Sequence, residues 1–80
     1  IFHTVKKYKK FNGILNRYIS IFSSDEKIKI TTTGLQYELK NETLKKNHSG
    51  TLNFANSDNV ELKTKQEILV FVSNKLKKII

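Results

Sequence analysis

The sequence predicts a small α+β domain in the order α-β-β-β(-β)-α, an antiparallel sheet with two amphipathic helices packed on one face. Three observations lead there. Apolar residues recur at three- and four-residue steps near the start, at Val5, Tyr8, Phe11, Leu15, Tyr18, Ile19 and Phe22, the spacing of a helical stripe. The middle alternates apolar and polar residues, the period of half-buried strands. Near the end, Thr64 followed by Glu67 reads as a capping box, and Ile68, Leu69, Val72, Leu76 and Ile79 fall on one helical stripe.

In chain order, residues 4–22 form the expected first helix, with Thr4 as its cap and Gly13 inside it at a cost of ~1 kcal/mol relative to alanine. Ser23-Ser24-Asp25 ends it. Residues 27–33 alternate cleanly and are rich in β-formers, so a strand follows. Gly34 then marks a hairpin turn or a bulge, and residues 35–40 form a strand with Leu35, Tyr37 and Leu39 on one face. Residues 41–50 read as a polar loop. Thr51–Ala55 is the next strand, with Leu52 and Phe54 inward, and Asn56–Asn59 turns it into a hairpin with Val60–Lys63. The closing helix carries Lys75, Lys77 and Lys78, which suit the carboxyl end of a helix dipole. The run Ile68–Val72 is rich in β-branched residues and fits a buried strand on its own; the capping box and lysine tail favour helix.

Eighty residues make one small domain, 1–80, with no disulfide or zinc staple available because cysteine is absent. The start at Ile1 and the lack of methionine suggest a fragment or a processed chain. No apolar run approaches the ~20 residues of a spanning helix, so we expect a soluble, intracellular, cytoplasmic protein. The formal net charge of +8 favours an anionic partner. Arg17 is the sole arginine, however, and a chain rich in Lys, Asn and Ile is also what A/T-rich codons produce.

Chemistry-bearing patterns are sparse. Each acid has a plain role in a turn, cap or exposed strand, and His3 and His48 read as solvated. There is no phosphate-cradling glycine loop, nucleophile elbow or metalloprotease helix, so we expect no catalysis, metal or cofactor. Asn41-Glu42-Thr43 and Asn47-His48-Ser49 match the glycosylation triplet and serve as loop markers. The candidates left are lysines: Lys6 and Lys10 on the first helix, Lys27, Lys29 and Lys63 on the outer sheet face, and Lys45 and Lys46 in the loop. That sheet face shows no aromatic residue, so RNA would be held through phosphates and shape rather than base stacking.

Two families share the predicted order. The loop Lys45-Lys46, the strand Leu52-Asn53-Phe54-Ala55 and the run Leu62-Lys63-Thr64 resemble the Alu-RNA-binding subunits of the signal recognition particle, which implies binding of structured RNA. Ile28-Lys29-Ile30-Thr31-Thr32 and the ending Lys75-Leu76-Lys77-Lys78-Ile79-Ile80 resemble kinase-associated C-terminal domains, which implies acidic phospholipid. The expectation is therefore a non-enzymatic, basic, RNA-binding component of a ribonucleoprotein. An acidic membrane surface, an acidic protein, or a scaffold role with a partner protein or a second copy stands as the alternative.

Overall fold

The chain folds as two antiparallel four-stranded sheets and no helix among the described residues, as seen in a computed structural model that describes residues 1–25, 27–44 and 53–76, the side chains of Lys75 and Leu76 aside. The strands are β1 (Phe2–Val5), β2 (Tyr8–Asn12), β3 (Arg17–Phe22), β4 (Lys29–Thr33), β5 (Glu42–Thr43), β6 (Asn53–Phe54), β7 (Asn59–Thr64) and β8 (Ile68–Leu76). The first sheet runs β1-β8-β3-β6 and the second β2-β7-β4-β5. Except between β4 and β5, every consecutive pair of strands lies in different sheets. The chain thus laces the two layers together, and most of its contacts are distant in sequence.

Alternation along the strands shows where the core lies. Val5, Ile19, Ile21, Ile68, Val70 and Val72 point inward from the first sheet; Phe11, Ile30, Val60 and Leu62 point inward from the second. Each fully buried aliphatic side chain of this kind contributes about 1.5–3 kcal/mol. No buried side-chain polar atom among the described residues lacks a hydrogen bond.

The α+β expectation is therefore corrected to an all-β sandwich. The helix expected over 4–22 is three strands. Of its apparent stripe, Tyr8, Leu15, Tyr18 and Phe22 are exposed, while Val5, Phe11 and Ile19 are buried. Gly13 (φ 71°) and Asn16 (φ 66°) sit in the left-handed region, which ends regular structure and turns the chain between β2 and β3. The closing helix is β8, the alternative reading of Ile68–Val72. Ile68, Val70 and Val72 are buried and Leu69 is exposed, a period of two rather than 3.6. β8 lies between β1 and β3, where both of its edges are hydrogen-bonded. Thr64 caps nothing: its Oγ1 donates to the Gln66 carbonyl at 2.6 Å and closes the turn that carries the chain from β7 to β8.

Strands do occupy 29–33 and 59–64. The expected strand 35–40 is an irregular loop, with Leu35 and Leu39 buried and Tyr37 exposed. The hairpin expected at Asn56–Asn59 does not form, because β6 and β7 belong to different sheets. Thr51 and Leu52 lie outside the described residues, as do Lys77 and Lys78.

Candidate functional site

The most highly organised segment outside the strands is the loop that leaves β4 at Thr33 and rejoins the second sheet at β5. Gly34 opens it at φ +98°, and a Cβ there would lie 2.5 Å from the Asn59 carbonyl oxygen. Only glycine fits so close to backbone at that angle. The Glu38 carboxylate then folds back over the turn. Its Oε1 accepts from Thr32 Oγ1 at 2.6 Å and Leu35 N at 3.0 Å, and its Oε2 accepts from Gly34 N at 2.9 Å. Thr32 closes the ring: its N donates to the Leu39 carbonyl at 2.8 Å, and its Oγ1 accepts from Leu39 N at 2.9 Å.

A second set of bonds ties the loop to the other sheet. Leu35 forms a β-bridge with Ala55, Gln36 N donates to the Phe54 carbonyl, and Asn56 N donates to the Gly34 carbonyl. Buried Asn53, registered opposite Ile19 on β3, reaches the loop with its side-chain amide. Its Oδ1 accepts from Tyr37 N at 3.0 Å and from Phe54 N at 3.0 Å, and its Nδ2 donates to the Tyr37 carbonyl at 2.8 Å. Both backbone polar groups of Tyr37 are thereby held, while the residue remains 62% exposed. Two other exposed rings, Phe2 and Tyr8, are engaged by neighbouring side chains. Phe2 packs on Phe71 with centroids 4.8 Å apart, and the Tyr8 hydroxyl donates to the Glu61 carboxylate. That bond, with some burial and the neighbouring charge, holds the Tyr8 phenol above its ordinary pKa of 10.0. An aromatic ring on a pre-formed loop meets a flat ligand at little ordering cost.

The lysines singled out in the sequence are scattered by the fold, with one exception. Lys6 lies in the turn between β1 and β2, Lys10 on β2 opposite Glu61, and Lys27 in the turn before β4. Lys45 and Lys46, like His48, lie outside the described residues. Lys29 and Lys63 come together on the outer face of the second sheet and are joined there by Lys65. That face carries a ring after all, since Tyr8 is registered opposite Lys63. Sequence reasoning passed over Tyr37, Glu38, Asn53 and Lys65. The available signal for the loop was Gly34 directly after a β-branched run, with an acid four residues on that can bond back to the turn's amides. Among the described residues no group of His, Asp or Glu is placed to hold a metal, and no helix is long and apolar enough to cross a membrane.

The fold is thus a β-sandwich with the exposed Tyr37 ring on a loop pinned from both sheets. The model of the family described as thiamin pyrophosphokinase, substrate-binding domain, matches residues 1–71. The chain belongs to that family. The fold agrees with the crystal structure of thiamine pyrophosphokinase from Bacillus subtilis, with a TM-score of 0.75 at 20% identity, over 94% of this chain and 38% of that one. The chain thus spans well under half the length of that protein. No curated protein matches.

Membership corrects the functional expectations. The chain belongs to a domain family of an enzyme, so a non-enzymatic RNA-binding component is not what it is. The expected structured-RNA partner falls with that. Both family resemblances drawn from the sequence rested on helices that are strands here.

Proposed function

We propose that this chain is the thiamine-recognising part of a pyrophosphokinase, with the loop over residues 34–39 presented to the substrate and Tyr37 as its contact residue. The observation that carries the reading is the exposed Tyr37 ring on backbone fixed by Asn53, within the domain family described as substrate-binding. Thiamine is a flat aminopyrimidine joined to a permanently cationic thiazolium. A tyrosine face attracts such a cation through its ring quadrupole, worth about 0.5–2 kcal/mol. The Glu38 carboxylate, bonded to three donors of its own loop, shapes that loop and is not a free base. The role assigned to this chain is therefore recognition, not transfer. The net charge of +8 suits a reaction whose other participants carry phosphates.

The test is thiamine affinity in the protein carrying this domain. Tyr37→Ala should weaken binding by roughly tenfold, while Tyr37→Trp, which keeps a ring, should retain it. Equal affinity in the wild type and in Tyr37→Ala would refute the assignment.

A further inference from the structure

We propose a second site on this domain, a phosphate-binding depression on the outer face of the second sheet, built by Lys29, Lys63 and Lys65 and closed by Thr31 and Asn41. It does not depend on the thiamine reading. The register places Thr31 opposite Lys63. Because Ile30, Thr32, Leu62 and Thr64 are buried on the inner face, strand alternation turns Lys29, Thr31 and Lys63 outward together. The ladder continues past the end of β7, where Lys65 N donates to the Lys29 carbonyl at 3.2 Å, and this brings Lys65 to the same place.

Asn41 supplies the wall. It adopts φ +52° and its N donates to Thr31 Oγ1 at 3.0 Å, folding the chain back over β4. The Thr31 hydroxyl accepts that bond and keeps its own proton to donate outward. The resulting depression has a volume of about 300 Å³ and is lined by these five residues and Thr64.

Charge selects the ligand class. Three lysines and no carboxylate line the depression. The acids nearest in register lie outside its lining: Glu61 accepts from the Tyr8 hydroxyl, and the Glu42 carboxylate accepts from Lys40 N at 2.9 Å. A monovalent anion would leave most of this charge uncompensated. An inorganic diphosphate, or the diphosphate end of an organic ester, brings several charges and many acceptor oxygens to a cluster of point-charge donors.

The experiment follows backbone amide resonances of the ¹⁵N-labelled chain while inorganic diphosphate is added at constant ionic strength. Saturable shifts are expected at Thr31, Asn41, Lys63 and Lys65. Lys29→Gln with Lys63→Gln should raise the apparent Kd by about two- to fivefold for each lysine removed, and Lys63→Arg should restore most of it. Lys9→Gln should change nothing, because Lys9 is registered opposite the inward-facing Leu62 and so leaves β2 on the other side of the sheet. Spectral dispersion reports folding of every variant directly, and a thiamine titration of the same samples reads Tyr37 separately. A diphosphate ester such as a nucleoside diphosphate, added in place of the inorganic ion, shows whether an organic group adds affinity. Shifts spread evenly over lysines of both sheets, or no saturation, would overturn the site.

Discussion

Gly34→Ala isolates what the candidate loop requires of its backbone. At φ +98° an L-residue is strained, and left-handed backbone costs roughly 1–2 kcal/mol for a residue with a Cβ. The new methyl would also meet the Asn59 carbonyl oxygen at 2.5 Å, with Val60 Cγ2 at 3.3 Å and Ser57 Cβ at 3.4 Å behind it. The nearest of these atoms is backbone at the start of β7, which cannot swing aside. Overpacking of that kind adds roughly 1–3 kcal/mol. Alanine lowers the entropy of the unfolded chain and returns about 0.4–1 kcal/mol. The net loss is then about 2–4 kcal/mol, a fall in Tm of roughly 10–25 °C for a domain of this size.

Gly13→Ala is the internal control. Its φ is +71°, and nothing lies within 4 Å of its Cβ position, so only the conformational term operates and the net loss should be about 1 kcal/mol or less. Urea unfolding of both variants at constant m-value gives the comparison. If Gly34→Ala destabilises no more than Gly13→Ala, the close approach of loop and β7 is not what fixes that glycine.

Other consequences are simpler to state. Asn53→Ala removes the side-chain amide that pairs with the Tyr37 N–H and carbonyl; it should cost about 1–3 kcal/mol and weaken thiamine binding with Tyr37 itself intact. Ile30→Ala empties a fully buried site between the sheets and should cost about 2–5 kcal/mol in chemical unfolding. Glu61→Gln removes the carboxylate that holds the Tyr8 phenol above 10.0, so ultraviolet titration should show one tyrosine ionising at lower pH. In the native protein the sign is fixed by that raised value: the folded state keeps the proton longer, so this stabilisation is complete below pH 10.0 and declines as pH rises beyond it. Far-ultraviolet circular dichroism should be predominantly β, and two helices' worth of signal would contradict the sandwich.

The sequence alone determined the local preferences that survive. Alternation at 27–33 and 60–63 marked strands with Ile28, Ile30, Val60 and Leu62 facing the core, all of which are buried. Lys29 and Lys63 stood out, and the fold brings them together at one depression. Tertiary structure decided the rest. A spacing of three and four residues across 4–22 satisfies a helix, yet the same residues make three strands once Gly13 and Asn16 turn the chain and other strands bond the exposed edges. Ile68–Val72 is locally ambiguous, and it became β8 because β1 and β3 stand on either side to take its backbone hydrogen bonds. Periodicity is a property of a segment, whereas the partner that satisfies a strand comes from a distant one. The loop around Tyr37 was hidden for the same reason: its rigidity comes from Asn53 and Ala55 on the opposite sheet and from Asn59 at the start of β7, meetings that only the lacing of the two layers creates.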